Sequence, residues 1–248
     1  MGVFQKIFGG NTLKEPVDYG VLKTDFHSHL IPGIDDGVKS ISEALSLIRR
    51  LQELGFKKII TTPHIQDEFY KNTPERIMGG LGEVKAAMAE AGLEIELEAA
   101  AEYLLDDGFE QKMKSGQLMI FGRKFILVEL SYFSPHPNLL SFIFELQLEG
   151  YQVILAHPER YSYWFNDLKK FEELKNRSVF FQLNTVSLSG FYGSDVKKIA
   201  EKMIELGMYD FAGSDMHNQH YMDSFIKARF EKSLKKLMES GVLKNDQL

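Results

Sequence analysis

The sequence predicts an α/β chain folded as a closed or nearly closed βα barrel, with an open doubly wound sheet as the alternative. Three observations carry this. Strand-like apolar runs recur seven times, at 21–26, 57–62, 93–101, 125–130, 151–156, 179–183 and 209–213. Helical patterns separate them, which implies parallel pairing through right-handed crossovers. Gly55, Gly92, Gly150 and Gly207 each stop a helix just before the next strand, as a left-handed cap requires. No Pro/Ser-rich linker or shift of composition divides the 248 residues. One domain over 21–248 is expected, behind a flexible N-terminal arm over 1–20.

The elements follow in chain order. The arm contains Val3, Phe4, Ile7 and Phe8 at helical spacing, but its Gly, Lys and Asn content favours fraying. After the first strand, Ser40-Ile41-Ser42-Glu43 forms a capping box, and Ile41, Leu45, Ile48 and Leu51 repeat at helical spacing behind it. The second strand leads to Thr73-Pro74, which opens a helix with proline where no N–H is missed. That helix runs to Ala91, with Gly79, Gly80 and Gly82 weakening its first turns. A short helical segment near 107–115 precedes the fourth strand, and a helix over 139–149 precedes the fifth. Helices are further expected over 195–206 and, as one closing amphipathic unit, over 221–240.

Composition excludes several functions. With 44% hydrophobic and 26% charged residues the chain has the makings of a sizeable core. It has no cysteine, so thiolate nucleophiles, disulfides and Cys-ligated metals are all ruled out. A net charge of −6 argues against nucleic acid as a partner. No apolar run reaches the ~20 residues of a membrane span, and the start is too short and polar for a secretory signal. The expectation is a cytoplasmic protein with no transmembrane segment.

The polar residues gather at strand ends. Asp25-Phe26-His27-Ser28-His29 and Asp35-Asp36-Gly37 follow the first strand, Thr62-Pro63-His64 the second and Glu102 the third. Glu129 ends the fourth, His157-Pro158-Glu159-Arg160 follows the fifth, Asn184 the sixth and Ser214-Asp215-Met216-His217 the seventh. In a parallel barrel these positions share the rim where active sites form. An extended His27-X-His29 points both imidazoles one way, and Asp215-X-His217 repeats the spacing. Imidazole with carboxylate suits manganese, iron, zinc or magnesium. So many ligands exceed the needs of one ion, and paired ions suit phosphoester displacement. Taken singly, each motif has a plainer reading. Asp-Asp-Gly is a common turn, His64 fits a loop, and Trp164 beside Tyr161 and Tyr163 fits ordinary packing as well as a pocket wall. Glu129, between apolar neighbours, is harder to dismiss, because a buried carboxylate needs a partner. His136 and His220 fall outside the pattern.

Together these motifs resemble the PHP (polymerase and histidinol phosphatase) superfamily. Within it, HSHLIPGIDDG, TTPH and HPERY resemble the bacterial CpsB/YwqE-type metal-dependent protein tyrosine phosphatases, over about residues 22–240. The resemblance implies a distorted TIM-like (β/α)7 barrel carrying three divalent ions, manganese first, with iron, zinc or magnesium as alternatives. It implies His27, His29, Glu102 and Asp215 on one ion; Glu102, Glu129 and His157 on a second; Asp36, His64 and His217 on a third. It gives Arg160 and His64 catalytic roles, Arg160 on the substrate phosphate, with hydroxide on the metals attacking phosphorus. Relatives often carry another arginine soon after the Asp-X-His-Asn run; here none occurs before Arg229. The implied substrate is a phosphotyrosyl protein, a bacterial tyrosine autokinase controlling capsular or exopolysaccharide synthesis. The competing expectations are a small-molecule phosphatase of the histidinol-phosphate type, a nucleic-acid phosphoesterase, and a metal-bearing scaffold without catalysis.

Overall fold

The computed structural model describes residues 12–248. Strands β1 (Thr24–Phe26), β2 (Lys58–Thr61), β3 (His64–Ile65), β4 (Glu96–Ala99), β5 (Glu102–Leu104), β6 (Phe125–Glu129), β7 (Gln152–Ala156), β8 (Phe180–Asn184) and β9 (Phe211–Gly213) form its sheets. Helices α1 (Ile41–Glu53), α2 (Pro74–Glu90), α3 (Phe109–Lys114), α4 (Leu139–Leu148), α5 (Lys169–Asn176), α6 (Ser194–Glu205), α7 (Gln219–Ala228) and α8 (Lys232–Glu239) lie between and after them. All strand pairs are parallel, in the orders β1-β2-β4 and β3-β5-β6-β7-β8-β9.

The two sheets are successive stretches of one ring. β2 and β4 fall within the expected strands 57–62 and 93–101, and β3 and β5 continue those two strands beyond their expected ends. Pro63, which has no N–H to give a ladder, sits at the first break. The N–H groups of Ala100 and Glu102 donate to the Thr61 and Pro63 carbonyls at 2.9 and 3.1 Å and carry the pairing across both interruptions. At the rim the ring closes beyond β1 and β9. Ser28 bridges Met216, His29 N donates to Met216 O at 2.8 Å, and Asp215 N donates to His27 O at 2.8 Å. The fold is thus the distorted seven-position α/β barrel that the sequence predicts.

Two buried clusters stabilise it. Phe26, Ile60, Leu127, Ile154, Ala156 and Phe211 come from five strands and meet one another inside the ring. The larger cluster joins the outward strand faces to the helices. Gly55, Gly92, Gly150 and Gly207 end their helices with φ of 99°, 65°, 83° and 67°, a region other residues occupy at a cost. Ser40 accepts from Glu43 N, and Glu43 reaches back to Lys39 N rather than to Ser40 itself.

α2 opens at Pro74 and runs to Glu90 as expected, and Gly80 meets a packing demand: a Cβ there would stand 2.3 Å from Ile31 Cγ2. Two expectations need correction. The closing helix is two, α7 and α8. The chain breaks at Arg229–Glu231, where Val17 N and Leu13 N donate to the carbonyls of Arg229 and Phe230 at 2.8 and 2.7 Å. The second concerns the arm that supplies those donors. Residues 1–11, with Val3, Phe4, Ile7 and Phe8, lie outside the described residues. From Thr12 onward the segment is docked: Thr12 bridges Glu231, and the Tyr19 ring is fully buried, stacked 4.2 Å from Phe225, with its hydroxyl donating to Phe225 O. The sequence hid this, because nothing in residues 12–20 shows a helical or strand period. No helix among the described residues is long and apolar enough to cross a membrane.

Candidate metal centre

One end of the ring collects the imidazoles and carboxylates. The backbone there is bent out of strand geometry at three of them: His27, His157 and Asp215 have φ of 84°, 34° and 50°. Such conformations cost about 1–3 kcal/mol each and persist where the surroundings enforce them. They also correct the expectation for His27 and His29. These residues do converge, with ring centroids 5.6 Å apart, but His27 turns there through a left-handed residue, not by strand alternation.

Glu102, fully buried at the start of β5, is the hub. Its Oε2 stands 3.1 Å from His27 Nε2, 3.1 Å from His64 Nδ1 and 3.6 Å from His29 Nε2, and its Oε1 is 3.0 Å from His157 Nε2. Asp215 Oδ1 faces the same nitrogens, 3.1 Å from His27 Nε2 and 3.4 Å from His29 Nε2. Glu129 Oε1 lies 3.0 Å from His64 Nδ1, and Asp36 Oδ1 lies 3.4 and 3.5 Å from the Nε2 atoms of His64 and His217. All nine residues expected as ligands fall in four clusters: His29-Asp36-His64-His217, His27-His29-Glu102, His27-His157-Asp215 and His64-Glu102-Glu129. In each, the candidate ligand atoms lie within 4.8 Å of one another. His136 and His220 stand apart, against Asp107 and Phe191. Trp164 packs on Phe171 and Tyr161 and belongs to the core.

A ring of buried partners aims these ligands. Gln182 Oε1 accepts from His27 Nδ1 at 2.9 Å, which aims Nε2 at Glu102 and Asp215. Asp35 Oδ2 does the same for His29 Nδ1 at 2.8 Å. His217 Nδ1 donates to the Asp215 carbonyl at 2.8 Å, and Gln66 Nε2 donates to Glu129 Oε1 at 3.0 Å. Fixing one nitrogen of a histidine so that the other is free is how proteins prepare it to bind metal. Gln182 and the orienting role of Asp35 were missed from sequence. Gln182 carries a signal only in hindsight: it is polar and points to the same side of β8 as Asn184.

The electrostatics fit the same picture. Burial alone would raise the Glu102 carboxyl, but His27 and His64 outweigh it and hold it well below the usual range. Burial would lower His27, yet Glu102 and Asp215 raise it well above the ordinary histidine value. Burial and then Arg160 push His157 down, so that this imidazole is neutral. Five buried atoms here have no hydrogen-bond partner: His27 Nε2, His29 Nε2, His64 Nδ1, Glu102 Oε2 and His157 Nδ1. Unmatched buried polar atoms are costly, and so many in one place fit a cation-binding site. The donor set is one that holds divalent cations.

Beside the ligands is a pocket of about 150 Å³, walled by Tyr70, Tyr132, Tyr221 and Arg160. Arg160 NH1 reaches Asp215 Oδ2 at 3.2 Å, and its Cζ lies 4.6 Å from the Tyr132 ring and 4.2 Å from the Tyr192 ring.

Comparison with known proteins agrees with this geometry. CapC of Staphylococcus aureus, which carries a provisional tyrosine-protein phosphatase name, is 29% identical over 90% of this chain and 92% of its own. The tyrosine-protein phosphatase YwqE of Bacillus subtilis is 26% identical over 78% and 77%, and CpsB of Streptococcus pneumoniae, also so named, 25% over 86% and 90%. A solved chain from the pair YwqE of Bacillus subtilis and CpsB of Streptococcus pneumoniae, described as metal-dependent tyrosine phosphatases, superposes with a TM-score of 0.75. It covers 88% of this chain and 87% of that one at 24% identity. The histidinol phosphate phosphatase of Lactococcus lactis shares the fold at a TM-score of 0.52 and 12% identity, over 90% of this chain and 94% of its own. The family model for capsular polysaccharide synthesis, CpsB/CapC, matches residues 23–244, and the chain belongs to that family.

Proposed function

We propose that this protein is a metal-dependent phosphomonoester hydrolase acting on phosphotyrosine in a protein, the substrate being a bacterial tyrosine autokinase that governs capsular or exopolysaccharide synthesis. The activity is the one its relatives are named for. The observation in this chain that carries the reading is the set of unpartnered buried imidazole and carboxylate atoms around Glu102, with Arg160 facing the adjoining pocket. His27, His29, Asp36, His64, Glu102, Glu129, His157, Asp215 and His217 would hold the ions, three of them by resemblance, with manganese expected first. Bound divalent ions supply neutralisation of the phosphoryl oxygens and acidification of water.

The chain's own residues do the rest. Arg160 binds phosphate through the N–H groups not spent on Asp215, a charge-assisted contact suited to a tetrahedral anion. Gln182 and Asp35 hold Nδ1 of His27 and His29, so that the Nε2 atoms are the ones offered to a cation. Tyr70, Tyr132 and Tyr221 wall the pocket and give an aryl ester an aromatic surface. A tyrosine leaving group has a pKa near 10, so it departs with less protonation than an alkoxide. That matters because both nitrogens of His64 face carboxylates, and a role for it in proton transfer needs one of them freed. With no cysteine in the chain, a phosphothiol intermediate is excluded. The proposed location is the cytoplasm, where a kinase has ATP. The test is turnover of a phosphotyrosyl peptide with and without chelator, beside histidinol phosphate. Chelator-sensitive hydrolysis of the peptide in preference supports the reading; turnover that survives chelation overturns it.

A further inference from the structure

Four contacts close a loop around the arginine. Arg160 NH1 donates to Asp215 Oδ2 at 3.2 Å, and Asn184 Nδ2 donates to the same oxygen at 2.7 Å. Asn184 Nδ2 also donates to the Tyr192 hydroxyl at 3.1 Å, and the Tyr192 ring lies 4.2 Å from Arg160 Cζ. The Tyr132 ring is 4.6 Å from the same carbon. Asp215 is thereby divided: Oδ2 serves Arg160 and Asn184, and Oδ1 faces the imidazoles. Tyr192 sits in a turn bounded by Gly190 and Gly193, with φ of 82° and 96°, a backbone that other residues rarely adopt.

From this geometry, and resting on the phosphatase reading, we infer that Tyr192 is a positioning residue for phosphate recognition. Its ring, with that of Tyr132, holds the guanidinium at the pocket wall, and its hydroxyl is linked through Asn184 to the carboxylate shared with the metal ligands. Arginine alone has many rotamers; stacked on two rings and hydrogen-bonded at one nitrogen it has few, so less order is lost when phosphate binds. The need for a clamp is plain, since Arg160 is the single Lys or Arg side chain lining this pocket.

The test uses the full-length, metal-loaded protein with inorganic phosphate as the probe in calorimetry and p-nitrophenyl phosphate as the substrate. Tyr192→Leu removes the ring and is expected to weaken phosphate binding and raise KM by about tenfold each, the loss of one desolvated cation–π contact. Its kcat and its metal content stay near the parent values. Tyr192→Phe keeps the ring and restores binding to within about twofold of the parent. Tyr132→Leu, read in the same two assays, reports the other ring should Tyr192→Leu not fold. The inference is overturned if Tyr192→Leu binds phosphate as the parent does, if Tyr192→Phe is as weak as Tyr192→Leu, or if the loss falls on kcat and metal content alone. Phosphate binding that needs Tyr192 in a protein that hydrolyses no aryl phosphate would refute the phosphatase reading and leave this one standing.

Discussion

Gln182→Leu is the substitution that probes the centre most sharply without touching a ligand. The change keeps the volume and removes the amide. In the parent, Gln182 Oε1 accepts from His27 Nδ1 at 2.9 Å and from His157 N at 3.2 Å, and the side chain is wholly buried. Leucine leaves both donors buried and unpaired, at about 1–3 kcal/mol apiece. The metal-free protein should therefore lose at least about 2 kcal/mol, roughly 4–8 °C in melting temperature for a chain of this size. A second loss appears only when metal is present. His27 no longer has its Nδ1–H held, so its Nε2 lone pair is not fixed, and affinity falls by about 10–100-fold. That is roughly another 1.4–2.7 kcal/mol at saturating metal. The assay is thermal melting with and without manganese, beside elemental analysis after dialysis against a competing chelator. A Gln182→Leu protein that retains parental metal content, or melts lower by the same amount in both conditions, would refute the claim that Gln182 prepares His27 for an ion.

Other outcomes follow from the same coordinates. Gly80→Ala places a methyl 2.3 Å from Ile31 Cγ2 and should destabilise by about 1–3 kcal/mol despite alanine's better helix propensity. Gly82→Ala, in the same helix with nothing within 4 Å, should stabilise by about 0.5–1 kcal/mol, and thermal melts of the pair decide both. In metal-free protein, burial lowers the His29 pKa but the Asp35 carboxylate more than compensates, raising it to about 9. A histidine raised on folding contributes stability in full below its unfolded pKa near 6.5, and that contribution is lost as pH rises through about 9. Denaturant titrations of chelator-treated protein from pH 6 to 10 should show the decline, and Asp35→Asn should flatten it.

The ring of strands was legible because its signals are local. Gly55, Gly92, Gly150 and Gly207 punctuate it, and the period of each helix is short enough to read. The site was legible for a topological reason: in a parallel barrel every strand end shares one rim, so His27, Glu102, His157 and Asp215 could be grouped with no knowledge of side-chain packing. What stayed hidden depends on distance. The break between α7 and α8 is made by Leu13 and Val17, more than 200 residues away in sequence, donating to Arg229 and Phe230. The continuations of the second and third strands into β3 and β5 were hidden as well, because each is only two or three residues long and follows an interruption, the first at Pro63. Gln182 and Tyr192 act through partners that no spacing links to them, so neither stood out from ordinary polar and aromatic residues.

The central claim is that imidazoles and carboxylates from six strand ends gather round shared cations. Elemental analysis of the purified protein, parent and Glu102→Gln, tests it most directly, because Glu102 faces four imidazoles at once. More than one divalent ion per parent chain is predicted, with a marked fall in Glu102→Gln and hydrolysis of phosphotyrosyl peptide falling in step. A parent protein that hydrolyses the peptide fully while holding no stoichiometric metal would contradict it.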